Sequence, residues 1–230
     1  FAIAAGGNHA VALKGNGTVY AWGRNDGAQL GSDMAKDGHG LALATTARAV
    51  TMGGNTDSGN GGADPHLTLR GVMDLDAGDD FTVVETEGHH ALRFGTLTSR
   101  DGYLTETEYH PAYLVTADEN GFGVNRVEGV QDVAAGSRHG LVAAGTLAGA
   151  DTAVWSFGRN TAGQLGNGYA ATQNSNNHVV DNEYNAARVV SGYNYDAPLT
   201  SYAENVIAVS AGADHSVLYQ QDGSVWDMGR

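Results

Sequence analysis

The chain has 230 residues, with 12 basic against 26 acidic side chains and a formal net charge of −14. That charge excludes nucleic acid and anionic membrane surfaces as main partners, because too few cations are present to displace counterions. Cysteine is absent, so disulfides and thiolate metal sites are excluded, and no apolar run approaches the ~20 residues of a membrane span.

Four stretches repeat along the chain. Ala5-Gly6-Gly7-Asn8-His9 leads to Tyr20-Ala21-Trp22-Gly23, and Ala77-Gly78-Asp79-Asp80-Phe81 leads to Leu92-Arg93-Phe94-Gly95. Ala135-Gly136-Ser137-Arg138-His139 leads to Trp155-Ser156-Phe157-Gly158, and Ala211-Gly212-Ala213-Asp214-His215 to Trp226-Asp227-Met228-Gly229. Gly6 to Gly23, Gly78 to Gly95 and Gly212 to Gly229 each span 17 residues, while Gly136 to Gly158 spans 22, the excess falling in a glycine-rich tip at 145–151. Constant spacing within units and variable spacing between them marks a rigid supersecondary element joined by connections of free length.

Each unit is predicted to be a β-hairpin. In the first, Val11 and Leu13 precede Asn16-Gly17, and Tyr20 and Trp22 follow it; in the last, Val217 and Tyr219 precede Asp222-Gly223, and Trp226 and Met228 follow. Asn-Gly and Asp-Gly favour a type I′ turn, and Glu87-Gly88 holds the equivalent place in the second unit. A leading strand precedes each Ala-Gly pair, as in 130–133 and 206–209. A further segment follows the closing glycine, from Gly23-Arg24-Asn25 to Gln29-Leu30-Gly31 and from Gly158-Arg159-Asn160 to Gln164-Leu165-Gly166. Short antiparallel sheets repeated in this way predict an all-β fold, a β-propeller.

The Ala-Gly-x-x-His element, the aromatic-x-Gly closure, the Gly-Arg-Asn turn and the Gln-Leu-Gly element together resemble the regulator of chromosome condensation repeat. The resemblance implies a propeller of typically seven blades, of which this chain supplies about four. Blade cores fall at 1–31, 72–97, 130–166 and 206–230, with long connections at 32–71, 98–129 and 167–205. The remaining blades are expected from the same or another chain. The second unit departs from the pattern, with Phe81 in place of His and Thr96-Leu97 in place of Arg-Asn.

Function is expected to be protein recognition without catalysis. No Gly-x-Ser-x-Gly, His-Glu-x-x-His or cysteine nucleophile occurs. Gly6, Gly78, Gly136 and Gly212 lack the lysine of a phosphate loop, and with Trp22, Gly23, Gly158 and Gly229 they are assigned to structure. His9, His139 and His215 recur in separate blades, where each imidazole is expected to bridge backbone groups of its own blade; Phe81 at the same place can fill the pocket but cannot ligate. No cofactor or resident metal is assigned. The nearest approach is a set of hard oxygen donors for calcium, Asn55, Asp57, Asn60 and Asp64, in a Gly-rich loop at 52–66, with Asp74, Asp76, Asp79 and Asp80 as a second acidic stretch. Asp101, Glu106, Glu108 and His110 fall together in what is expected to be an irregular connection. His89-His90 is expected on a strand, with the two rings on opposite faces.

The 169–202 segment holds Tyr169, Tyr184, Tyr193, Tyr195 and Tyr202, interleaved with asparagines. Tyrosine supplies contact area at low entropy cost and asparagine adaptable hydrogen bonds, the chemistry of binding loops. These five tyrosines are the candidate partner-binding residues. The acidic, lysine-poor composition points to a secreted or cell-surface scaffold. A regulator of an enzyme, either a GTPase exchange factor or a secreted inhibitor, is the alternative that the family resemblance implies.

Overall fold

The computed structural model describes residues 1–32, 43–52, 67–98, 105–117, 123–145, 152–168, 172–173, 179–180, 182–191 and 202–230. Every described element is a strand. The first blade is an antiparallel sheet of β1 (Ala2–Ala5), β2 (His9–Leu13), β3 (Val19–Arg24) and β4 (Leu43–Ala49) in chain order. The second repeats it with β5 (Val72–Ala77), β6 (Phe81–Thr86), β7 (Ala91–Thr98) and β8 (Thr105–Tyr113). The short strands β9 (Val115–Ala117) and β10 (Gly123–Arg126) follow, then β11 (Val130–Ala135), β12 (His139–Ala144) and β13 (Ala153–Arg159). β14 (Thr172–Gln173) and β15 (Val179–Val180) form a separate ribbon before β16 (Asn182–Arg188), and the fourth blade has β17 (Val206–Ala211), β18 (His215–Gln220) and β19 (Val225–Gly229). The third blade is ordered β11-β12-β13-β16 and is then extended by β9 and β10, β9 lying parallel to β16 through Thr116 and Ala186.

The segments 98–129 and 167–205, read from sequence as connections, thus contain β8 and β16, the fourth strands of their sheets, as 32–71 contains β4. Glu106, Glu108 and His110 lie on β8, not in an irregular loop, and Asp101 lies outside the described residues; the His110 ring meets the backbone carbonyl of Thr51 at 3.3 Å. The hairpin turns also differ from expectation. Only Gly17 (φ 75°) and Gly223 (φ 86°) adopt positive φ in their turns, so neither is type I′. Lys14 accepts from Gly17 N–H while its own N–H donates to Thr18, a three-residue loop closed by one left-handed residue. In the second blade His89, not Gly88, takes the left-handed position, with φ 55°. His89-His90 therefore sits in the turn and its rings are engaged. His89 Nδ1 is 3.0 Å from the Val130 carbonyl, and His90 packs edge-on to Tyr113.

The core is divided into three layers, one per joint between blades. Val11, Leu30, Val84 and Phe94 fill the first; Phe81, Val83, Val142 and Phe157 the second; Leu141, Val154, Val209 and Leu218 the third. Alternation along a strand makes this possible: in β12, Val142 and Ala144 face one layer while Leu141 and Ala143 face the other. Every residue of β12 is buried, whereas the outward faces of the two end blades are open, with Ile3 84% and Val225 63% exposed.

Blades meet at the inner strands, β1 against β5, β5 against β11 and β11 against β17. The Ala-Gly glycines allow that approach. A Cβ on Gly6 would lie 2.0 Å from the Gly78 carbonyl, one on Gly78 2.5 Å from that of Gly136, and one on Gly136 2.3 Å from that of Gly212. The glycine therefore seats the next blade's backbone, and the N–H of Gly7 and of Ser137 donates to the following blade's glycine carbonyl. Gly136→Ala is expected to cost about 1–3 kcal/mol through forced separation of the third and fourth blades. Gly88→Ala, whose Cβ would come no nearer than 3.3 Å to any neighbour, should change stability by less than about 0.5 kcal/mol. Urea unfolding of the two variants checks both.

Candidate functional site

The repeated motif residues build the joints. His9 Nε2 lies 3.0 Å from Thr82 Oγ1, and His139 Nε2 lies 2.8 Å from Ser216 Oγ. The imidazoles thus reach the following blade, not backbone groups of their own as expected from sequence. Ser216 Oγ–H donates to the Gln164 carbonyl, so its lone pair accepts from His139, which places the proton on Nε2. In the joint between the second and third blades the repeat position carries Phe81 in place of an imidazole. Phe81 meets Phe157 edge-on at 6.0 Å, and the Phe157 ring lies over Gly140, where a Cβ would be 2.3 Å away.

The remaining motif residues serve the same joints. Asn25 and Asn160 accept through Oδ1 from Leu30 and Leu165 N–H, and Gln29 and Gln164 accept through Oε1 from Gly27 and Ala162 N–H. Each Gly-Arg-Asn to Gln-Leu-Gly segment is thereby fastened to itself. It also reaches forward: Gln29 Nε2 donates to Asp80 at 3.3 Å, and Arg159 lies 3.8 Å from Asp214. Thr96, standing where the family pattern has Arg, donates back to the Gly27 carbonyl of the first blade. Of the acidic stretch at 74–80, Asp76 is engaged by backbone N–H donors. Its carboxylate accepts from Ala77 N–H and, across the joint, from Ala135 N–H at 2.9 Å; Asp132 repeats this with Val133 and, at 2.7 Å, Val209.

Burial lowers the pKa of both joint histidines, His9 and His139, from 6.5 to about 4. Between those values the unfolded chain binds protons that the folded chain does not, so stability falls as pH drops through this range. At pH 5 the cost is roughly 2 kcal/mol per histidine. Asp76, Asp80, Glu85 and Asp132 are raised by burial and act in the opposite sense, gaining stability as they protonate above the usual carboxyl range.

A different set of side chains gathers where β2 turns into β3 and the fourth strand leaves for the next blade. Lys14 Nζ lies 5.2 Å from the Tyr20 ring centre. Arg126 stacks on Tyr113 at 3.8 Å, with His90 against the same ring. Arg188 stacks on Tyr202 at 4.1 Å and lies 6.0 Å from the Trp155 ring. Tyr202 is 38% exposed, and Arg188 also pairs with Glu204 at 3.8 Å. Thus the first three blades each carry a cation on an aromatic ring at this hairpin end. Tyr202 is among the five tyrosines singled out from sequence; Tyr20 and Tyr113 are not, because their cationic partners adjoin them only in the fold.

β16 crosses the sheet within 169–202, so the residues before and after it leave from opposite ends of the blade. Tyr184 lies on that strand, and Tyr169, Tyr193 and Tyr195 lie outside the described residues, as do Asn55, Asp57, Asn60 and Asp64. Among the described residues no group of three or more His, Asp or Glu is arranged to hold a metal ion, and no helix is long and apolar enough to cross a membrane.

The pH response can be assigned to a single joint. His139→Phe should reduce the loss of stability between pH 7 and pH 5 by about 2 kcal/mol, while Ser216 keeps its bond to Gln164. Urea midpoints at the two pH values measure this.

The family model of the Regulator of chromosome condensation (RCC1) repeat matches residues 2–29. No curated protein matches the sequence. Among solved structures, the chain is similar to yeast RCC1 (Prp20) in its complex with Kap60, at 19% identity and a TM-score of 0.62, covering 99% of this chain and 43% of that one. It is similar to Prp20p from Saccharomyces cerevisiae, described with its binding properties to Gsp1p and histones, at 19% identity, TM-score 0.63, and 99% and 44% coverage. Human WBSCR16 gives 20% identity, TM-score 0.57, and 96% and 44% coverage. The chain spans less than half the length of these structures. The chain thus has the fold of about four blades of an RCC1-like β-propeller, and residues 2–29 match the family's repeat.

Proposed function

We propose that this chain is a non-catalytic protein-recognition module that binds its partner through the hairpin end of the blades. The observation that carries the reading is the set of cation–aromatic stacks: Lys14 on Tyr20, Arg126 on Tyr113, and Arg188 between Tyr202 and Trp155. Arginine, tyrosine and tryptophan dominate the energetics of protein interfaces. Stacking fixes their rotamers before a partner arrives, which lowers the entropy cost of binding. The stacked cations also supply positive points on a chain of net charge −14, so an acidic or carbonyl-rich segment is the chemistry that they would select.

Fold similarity to Prp20, which was solved with Kap60 and described binding Gsp1p and histones, supports a role in protein recognition. The acidic, lysine-poor composition supports a secreted or cell-surface setting.

Point variants test this better than deletion of 169–202, which would remove β16. Affinity capture with the wild-type chain is compared with the Arg126→Ala/Arg188→Ala/Tyr202→Ala triple variant, after urea unfolding has shown that the variant is folded. Specific partners should be depleted about tenfold or more in the variant. Undiminished recovery of every partner contradicts the reading of the surface, and turnover of any substrate in a hydrolase panel contradicts its non-catalytic part.

A further inference from the structure

The three joints differ in what an added proton does to them. At the first and third, His9 and His139 are buried with Nε2 on a hydroxyl of the next blade, Thr82 and Ser216. A charged imidazole carries a proton on both nitrogens. In both residues Nδ1 is enclosed and reaches no hydrogen-bond partner among the described residues. Gly6 and Gly136 pack on that edge of the ring, where a Cβ would lie 2.6 Å from Nδ1, so the closed joint offers the second proton nothing to bond. Parting the blades lets water accept from it, and the charged ring therefore favours the open joint.

The groups around these rings do not reverse that balance. At His9, burial outweighs the favourable Asp79 backbone; at His139, it outweighs the Asp214 carboxylate and the His215 backbone, while charge on His215 and Arg159 adds repulsion. Asp80, with Arg24, Asp26, Asp79 and Arg138 about it, and Asp132 are the buried carboxylates of the same two joints. They gain from protonation, but from an ordinary value of 3.8 against 6.5 for the imidazoles, so at pH 5 they offset only part of the loss.

The middle joint responds in the opposite sense. Phe81 against Phe157 takes no proton. Asp76, which holds Ala135 N–H across the joint, and Glu85 are raised by burial, and the charge of Asp74 adds to both. Removing one charge from this group relieves desolvation and repulsion together. His89 Nδ1, unlike those of His9 and His139, faces two acceptors, the Val130 carbonyl of the third blade at 3.0 Å and Glu85 at 3.3 Å. Arg93 is a buried cation on the Val83 side of β7, which faces this joint. A main-chain tie is added here: β9, separated from β8 by Leu114 alone, pairs with β16 of the third blade through Thr116 and Ala186.

We propose that acid is a directed release signal in this fold: it opens the first and third joints and leaves the second and third blades docked as one unit. The device is independent of what the surface binds. It lies in the alternation of His–hydroxyl and Phe–Phe contacts along the blades.

Each joint carries its own amide reporter. Gly7 N–H lies on the Gly78 and Asp79 carbonyls, Asp79 N–H on the Ser137 carbonyl at 2.8 Å, and Ser137 N–H on the Gly212 carbonyl. Hydrogen exchange of the full chain is followed by NMR at pH 7 and pH 5, and rates are expressed as protection factors so that the intrinsic pH dependence cancels. Protection at Gly7 and Ser137 should fall about tenfold or more at pH 5, while that at Asp79 stays constant or rises. His139→Gln, which keeps a donor for Ser216 and takes no charge, should abolish the fall at Ser137 and leave that at Gly7. If this variant does not fold, His9→Gln gives the mirror comparison, and the wild-type profile decides by itself. An equal fall at all three amides overturns the proposal. So does a fall at Asp79, no fall at Gly7 and Ser137, or a fall that persists at the altered joint of a folded glutamine variant.

Discussion

A carbonyl seated against a glycine is the contact on which the other joint interactions depend. Gly6, Gly78 and Gly136 each leave room for the next blade's backbone, and that close approach brings the neighbouring inner strands within reach of one another. Only then can Asp76 hold Ala135 N–H and Asp132 hold Val209 N–H, and only then does an imidazole on β2 or β12 span the gap to a hydroxyl one blade away. The two imidazole–hydroxyl contacts are buried, so each is costly if left half-made. Their directionality gives the joints a selectivity that the apolar layers, all built of Val, Leu, Ala and Phe, do not supply.

The same feature explains why much of the fold is legible in sequence. Glycine pairs and aromatic-x-Gly closures recur because every joint poses the same steric demand, and the spacing of 17 residues between them is the length of one hairpin. The outer strands are harder to see. Leu43–Ala49 has the burial of an edge strand, with a single buried residue, Ala44, so it lacks the apolar alternation by which strands are recognised. β8 and β16 pair with β7 and β13 across a register break beside Gly95 and Gly158, which obscures the periodicity further.

The histidines were misassigned for a different reason. An imidazole turned toward its own backbone and one turned toward a neighbouring blade give the same residue at the same repeat position. The distinguishing signal lies 73 and 77 residues downstream, in Thr82 and Ser216, and becomes visible only when each repeat is compared with the one that follows it. Of the tyrosine-rich segment, Tyr202 is, among the described residues, stacked on by Arg188, a partner 14 residues earlier that has no sequence signature of its own. Motif residues thus bind blade to blade at one end of the hairpins, and unrepeated aromatics with their cations occupy the other, where surface differs from blade to blade.

A double-mutant cycle across the joint between the third and fourth blades tests this account most directly. His139→Phe and Ser216→Gly together convert a His–hydroxyl joint into the Phe–Gly type already present between the second and third blades. If the joints are matched residue against residue, urea unfolding at pH 7 will show the double variant more stable than the sum of the single losses predicts, with a coupling of about 1–2 kcal/mol. Single losses that add to within about 0.3–0.5 kcal/mol would contradict it, and would leave the blades held by apolar burial alone.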